Sequence, residues 1–541
     1  MHYRCANPAF LYKYSHIIVI NKKLLNFEQT MSEDRNKGRS ERISDNSTRV
    51  AKNTLMLYFR MLLMMFIGLF TSRIILKTLG VSDYDVYGTV GSIVAAFTVV
   101  TTAISQAISR FITFELGNGD KEKLSRIFST SVIIQILFTI VIVILTETLG
   151  LWYLDHRIIL PEGRESAAHW VLQCSMGILI VNLLSVPFNA VITAHEKMKA
   201  YAYISILEAL LKLTVALLLF VSPADKLISF SILMLCTALI VRFTYGAYCK
   251  KHFEETCGSL KFDSGLLKEM SGFAGWNFLG SGSYIVNTQG INLLANAFFG
   301  VGVNAARNVA FQVENIIKQF VTNFLTALNP QIIKSFANGE SAYCFELTRK
   351  GVKFSYLVML AFLAPLLFEA PFLLHIWLRN VPPMSEVFVR LTVLCLMSDM
   401  SFNPLLTLIQ ANGKIKGYYI SSSLVSILVF FISWTAFKTG CPAYVSYIVF
   451  AVVYFIVDGI KLATVYHQVK FPVTTLIKKE LLPLAAVTAL TLIFSFICWH
   501  LIPAGAIRLL AVVTVSTIVI GLSSWMFVLT DGEKNFIKSK I

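Results

Sequence analysis

Charge is what this 541-residue chain has least of. Asp, Glu, Lys and Arg make up 14% of it, where soluble globular proteins carry about 25%. That shortage excludes an ordinary soluble domain. Paired cysteines are missing as well. The nine cysteines (Cys5, Cys174, Cys236, Cys249, Cys257, Cys344, Cys395, Cys441 and Cys498) are scattered, with no CxxC spacing. They read as packing residues, not as metal ligands or a disulfide framework. The nine histidines show no HExxH or other ligand spacing. A Walker A loop and a GxSxG turn are absent too. No catalytic, metal or cofactor centre is expected, so the chain reads as a non-enzyme, and an ATP-driven pump is argued against. The short alternating segments of a β-barrel are not found either.

What is present is apolar length. The chain is 56% hydrophobic, with a mean hydropathy of +0.67, and apolar runs long enough to cross a bilayer recur throughout. The expected fold is all-α: a polytopic membrane protein of about fourteen transmembrane helices. The first six spans lie near 55–78, 87–114, 128–149, 168–194, 201–221 and 228–249. The next six lie near 272–299, 303–330, 352–375, 385–411, 418–437 and 442–466. The last two lie near 480–501 and 505–529.

The formal charge of +16 comes from 47 Lys and Arg against 31 Asp and Glu. No nucleic-acid partner is read from this excess, because basic residues hold loops on the cytoplasmic side. Every second loop is basic, as in Lys121/Lys123/Arg126, Lys197/Lys199, Lys414/Lys416 and Lys478/Lys479. The intervening loops carry mostly single cations: Arg157/Arg164, Lys226, Arg379, Lys438 and Arg508. Both termini are therefore expected in the cytoplasm. Residues 1–50, polar and rich in charge, Ser and Asn, read as a disordered cytoplasmic tail, within which Met31 is a candidate start.

The chain also repeats itself. Gly80 is echoed by Gly300, and Asn118-Gly119 by Asn338-Gly339, each 220 residues on (300 − 80 = 338 − 118 = 220). Pro187 is echoed by Pro404, and Lys197-Met198-Lys199 by Lys414-Ile415-Lys416, each 217 on (404 − 187 = 414 − 197 = 217). Two six-helix bundles follow, over 51–262 and 263–470, with two additional helices and a cytoplasmic tail over 471–541. Both halves begin on the same side. Such parallel pseudo-symmetry places a substrate site between the halves near the midplane.

Ionisable groups inside spans cost roughly 2.5–3.5 kcal/mol at the bilayer centre and usually face a cavity or a partner. Arg307, Glu314, Lys318 and Thr322 fall on one stripe of the eighth span, and Glu314 and Lys318 can pair at i, i+4. The 220-residue offset maps Lys318 and Thr322 onto Thr98 and Thr102 of the second span, where Ser105 and Ser109 continue a hydroxyl stripe. A shared polar cleft is expected there. The seventh span is rich in glycine and amides (Asn277, Asn287, Gln289, Asn292, Asn296), which suits either a mobile site-lining helix or tight packing. Asp399 sits mid-span with no partner at i±3 or i±4. With Glu314 it is a candidate for ion coupling. Glu208 and Lys212 read as a structural pair, and Asp458 and Lys461 as solvated groups near a cytoplasmic helix end.

The run Thr71-Ser72-Arg73 … Leu79-Gly80-Val81-Ser82-Asp83-Tyr84 … Tyr87 … Arg110-Phe111 … Phe114-Glu115-Leu116-Gly117-Asn118-Gly119-Asp120 resembles the first helical hairpin of the polysaccharide-export flippases. These are the O-antigen and capsule-unit translocases of the MOP superfamily, with a MATE-like fold. The family usually has Gly-Ile-Tyr where this chain has Asp85-Val86-Tyr87. The resemblance implies a transporter in the cytoplasmic (inner) membrane that flips undecaprenyl-diphosphate-linked oligosaccharide by alternating access for surface polysaccharide biosynthesis. It implies membrane lipids and the polysaccharide polymerase machinery as partners, and a proton or sodium gradient as the driving force. It also implies arginines on the first and eighth helices, which singles out Arg60, Arg73 and Arg307. With Lys318, Thr98 and Thr102 these form the expected substrate site. The competing reading is a MATE-like cation-coupled multidrug antiporter. A membrane-embedded glycosyltransferase would want a longer outer loop than the one near 150–167.

Overall fold

The computed structural model describes residues 52–538, apart from 69, 72, 76, 81, 82, 85, 89, 92, 93, 95, 96, 158–162, 259–261, 300, 379 and 380. The tail expected over 1–50, Gly300 of the repeat and Arg379 lie outside the described residues. Thr54–Asp531 form one compact unit. Met1–Asn53 with Gly532–Ile541 form the other, nearly all of it outside the description.

Every regular element among the described residues is a helix, with no strand. The first half holds α1 (Lys52–Gly80), α2 (Thr98–Asn118), α3 (Lys121–His156), α4 (Glu165–Ala194), α5 (Met198–Leu218) and α6 (Lys226–His252). In the second half, α7 comprises Ser264–Ile285, a π-helical turn Val286–Gly290, and Ile291–Phe299. It is followed by α8 (Val301–Ala337), α9 (Ser341–Leu378), α10 (Ser385–Asn412), α11 (Lys416–Lys438) and α12 (Val445–Val469). Then come α13 (Val473–Leu501), α14 (Ala506–Val528) and a short α15 (Asp531–Lys538). Eleven helices are long and apolar enough to cross a membrane. This is an all-α polytopic membrane protein. The long helices outside that set are α2, α7 and α8, which carry the hydroxyl, amide and charge patterns. They are also the helices that meet between the halves, α2 packing on both α7 and α8.

The duplication is visible in the backbone. Gly119 and Gly339 end α2 and α8 in the left-handed region, with φ of 81° and 73°. Only glycine enters that region without strain. Glu196 and Gly413, 217 residues apart, do the same after α4 and α10, with φ of 56° and 78°. Packing repeats as well. The pairs α2–α4, α4–α6 and α5–α6 correspond to α8–α10, α10–α12 and α11–α12. Pro404 marks one departure. The turn at Phe402 divides α10 into Ser385–Ser401 and Asn403–Asn412, whereas α4 stays continuous through Pro187.

The two halves close on each other at the end bearing the basic loops. A Cβ on Gly117 would lie 2.9 Å from the Cβ of Ala337 and 3.0 Å from the Cα of Lys334. Gly117 and Ala337 are repeat equivalents (337 − 117 = 220), so the pseudo-twofold axis runs between them. At the opposite end, Arg164 pairs with Asp83 at 2.5 Å and also with Asp225, the N-cap of α6. The α13–α14 pair docks on α9 through two ion pairs, the part-buried Arg508–Glu369 at 2.6 Å and the buried Lys353–Glu480 at 3.6 Å.

Candidate functional site

Two adjoining chambers open between α7 and α10. The smaller, of about 150 Å³, is lined by Arg307, Glu314 and Lys318 of α8, Asn292 of α7, Asp399 of α10 and Tyr447 of α12. The larger, of about 400 Å³, is bounded by α2 through Thr102 and Gln106, by α7 through Asn277, by α11 through Tyr418 and Ser423, and by α12 through Lys461. Tyr284 and Asp399 belong to both walls.

The three charges of the α8 stripe do converge on one chamber. Lys318 Nζ donates to Glu314 Oε1 at 2.6 Å and to the Tyr284 hydroxyl at 2.5 Å, and that hydroxyl donates to Glu314 at 2.9 Å. This triangle neutralises itself. Arg307 is different. It is 9% exposed, and its Nε donates to the side-chain oxygen of Asn292 at 2.7 Å and Nη1 to the Ser446 hydroxyl at 3.4 Å. Its guanidinium lies 5.0 Å from the centre of the Tyr447 ring. All of these partners are neutral, and no carboxylate among the described residues lies within ion-pair distance of it.

Several expected residues lie elsewhere. Arg60 donates to Ser205 at 3.3 Å and Asn323 at 3.0 Å, and stacks on Tyr201. It ties α1 to α5 and α8 and lines neither chamber. Arg73 is exposed on α1 and lines neither chamber. Thr102 lines the larger chamber. The side chain of Thr98 lies outside the described residues. Glu208 and Lys212 pair at 2.6 Å as expected.

Two readings need correction. Asp399 is not unpaired: Lys461 of α12 approaches it at 3.8 Å. Asp458 and Lys461 are not solvated. They are 3% and 4% exposed, joined at 2.9 Å, and Ser398 donates to Asp458. The i±3 and i±4 rule sees only one helix, whereas these partners come from packing α10 on α12. Tyr284 was missed for a related reason, and Asn277 was named only among the amides of its span. A tyrosine or amide in an apolar run carries no spacing signal. Only the amide-rich character of α7 pointed toward them. That helix both lines the chambers and packs tightly: its π-helical turn lies beside the smaller chamber, a feature frequent at functional sites, while Gly280 and Gly290 pack directly against Tyr419 and Phe430.

The first hairpin has a clear structural role. Asp120 caps α3 by accepting from the backbone N–H of Lys123, and Glu115 pairs with the Lys123 ammonium at 2.9 Å. Arg110 sits over Phe111 and Phe114 and reaches the α10–α11 turn.

This architecture has known counterparts. A Vibrio cholerae MATE transporter, VcmN, superposes with a TM-score of 0.62 at 14% identity, covering 79% of this chain and 98% of that one. The chain has the MATE fold. A MOP-superfamily transporter from Pyrococcus furiosus, described with a binding pocket of reversed polarity, gives a TM-score of 0.60 at 12% identity, covering 79% and 97%. The MatE family model matches residues 57–218. Among curated proteins, the uncharacterized membrane protein EpsK of Bacillus subtilis is 22% identical over 351 residues, 64% of this chain and 68% of EpsK.

Proposed function

We propose that this protein carries undecaprenyl-diphosphate-linked oligosaccharide across the cytoplasmic membrane by alternating access of its two halves. The observation that carries the reading is Arg307. A buried cation inside the membrane is costly unless matched, and among the described residues this one has only neutral partners. A bidentate guanidinium suits the oxygens of a diphosphate. The polyprenyl tail would stay in lipid while the polar head group enters the chambers. Glu314 and Asp399, each beside a lysine, are the groups proposed to couple movement to a proton or sodium gradient. The alternation of basic loops supports a cytoplasmic location for both termini.

A second reading, a MATE-like cation-coupled multidrug antiporter, is favoured by another observation. Glu314 and Asp399 both line the chamber walls beside Tyr284, acidic groups that suit a cationic guest. Deleting the gene separates the two. The flippase reading expects loss of surface polysaccharide, with lipid-linked units accumulating on the cytoplasmic leaflet. Intact polysaccharide together with gained sensitivity to cationic drugs would sink it in favour of the antiporter.

A further inference from the structure

The larger chamber has a chemistry the smaller one lacks. Its volume of about 400 Å³ falls within the range of small-ligand sites, about 300–1,000 Å³. Asn277 lines it at 1% exposure, and neither its amide oxygen nor its amide nitrogen has a hydrogen-bond partner. The Ser423 hydroxyl, on the facing helix α11, is likewise buried and unpaired. A buried polar group left unmatched costs about 1–3 kcal/mol. Here donor and acceptor capacity is gathered at one cavity wall. The aromatic surface beside it is fixed. Gln410 donates to the Tyr419 hydroxyl at 3.1 Å, and a Cβ on Gly280 would fall 2.5 Å from the Tyr419 ring, so only glycine lets that ring lie flat on α7.

The charge of the wall matters as much. Lys461 is the cation here, and it faces two carboxylates, Asp399 at 3.8 Å and Asp458 at 2.9 Å. With all three ionised the local sum is −1. An acidic guest is repelled, while Arg307, the group suited to an anion, lies in the other chamber.

We infer that the larger chamber is a subsite for an uncharged sugar of the transported unit, with Asn277 and Ser423 pairing its hydroxyl or acetamido groups and the α11 tyrosines giving it an aromatic wall. The diphosphate then occupies the Arg307 chamber, and Tyr284 stands between the two. The inference rests on the lipid-linked oligosaccharide reading and specifies it: neutral or N-acetylated sugars are accepted here and uronic acids are not.

The test uses the purified full-length chain in lipid nanodiscs and three probes: farnesyl diphosphate, its N-acetylglucosaminyl ester and its glucuronyl ester. The N-acetylglucosaminyl ester is expected to bind about tenfold tighter than farnesyl diphosphate, roughly 1.4 kcal/mol, and the glucuronyl ester no tighter. In Asn277→Leu, and separately in the milder Ser423→Ala, the ratio between the N-acetylglucosaminyl ester and farnesyl diphosphate should fall toward one. Equal gains from both sugars, or a tenfold ratio that survives both substitutions, would overturn the sugar subsite while leaving the diphosphate reading intact. Failure of farnesyl diphosphate itself to bind in the wild-type chain would overturn that reading and this inference with it.

Discussion

Arg110 donates from Nε to the carbonyl of Gln410 at 3.0 Å and from Nη2 to that of Ala411 at 3.0 Å, binding α2 of the first half to the end of α10 in the second. The repeat supplies the converse contact. At the end of α8, Gln331 and Lys334 reach the Glu196 carboxylate, at 2.9 and 3.1 Å, in the α4–α5 turn of the first half. Glu196 and Gly413 hold equivalent places in the two turns. A non-glycine residue in the left-handed region costs of order 1–3 kcal/mol, and at Glu196 the carboxylate contacts offset it. The two latches close the same end of the molecule. Hydrogen bonds to charged groups contribute about 1.5–3 kcal/mol each, so Arg110→Ala should raise the population open at the basic end by about tenfold or more. Thiol labelling of Ala337→Cys, whose side chain is covered by Gly117, measures this. An unchanged labelling rate in Arg110→Ala would show that the latch does not hold the closed state.

Gly117 gives the steric version of the same test. A leucine there must push α8 away, because the contacting atoms include the Cα and carbonyl oxygen of Lys334. Gly117→Leu should prevent closure at the basic end and abolish transport. Gly88→Ala, where a Cβ meets nothing within 4 Å, should be silent. Complementation of a deletion strain compares them, and a fully active Gly117→Leu would remove the contact from the mechanism.

The same comparison explains how far residue patterns reach. Periodicity found the helices, because apolar length is a local property. The two offsets found the duplication, because turns keep their backbone geometry: Gly119 and Gly339 are both left-handed caps. The α8 stripe was legible too, since Arg307, Glu314 and Lys318 lie on one helix face. What stayed hidden needed two helices at once. Lys461 looked like a solvated end group until α12 packed on α10, and Arg60 looked like a site residue until Asn323 and Ser205 were placed beside it. Arg110 stood in the opening motif, yet its backbone partners lie 300 and 301 residues away, and carbonyl acceptors leave no trace in residue identity.

The Lys318–Glu314–Tyr284 triangle predicts non-additive stability. Removing one partner of a fully buried ion pair costs about 3–5 kcal/mol, and less for a partly buried pair such as this one, whereas replacing both is often near neutral. Lys318→Met alone should lower the thermal midpoint markedly in detergent. Lys318→Met combined with Glu314→Gln should recover most of the loss. Additive losses would mean that the two charges do not compensate each other.

Arg307 should behave differently from Lys318, because no charge among the described residues is paired with it and left stranded when it goes. Arg307→Ala should fold and insert at near wild-type levels yet abolish complementation. Arg307→Lys, which keeps the charge without the planar fork, should retain part of it. Quantitative surface-polysaccharide staining, normalised to protein in the membrane, gives the comparison. Full activity of the alanine variant would take Arg307 out of the site.

The opposite end carries a pH-dependent tie. At Asp225 desolvation pushes the carboxyl upward, but the N–H of Ile228, the Arg164 guanidinium and the N–H of Leu227 outweigh it and hold the group below the ordinary carboxylate range. A folded-state value below the unfolded one, about 3.9, means that the stabilisation is fully present above that pH. It is lost as pH falls through the folded value. Asp225→Asn keeps an N-cap acceptor for α6 but loses the charge that Arg164 shares between Asp225 and Asp83. The thermal midpoint of the wild type should therefore exceed that of Asp225→Asn at pH 6, and the gap should narrow between pH 4 and pH 3. A gap constant across that range would assign the effect to shape alone and remove Asp225 from the electrostatic clamp.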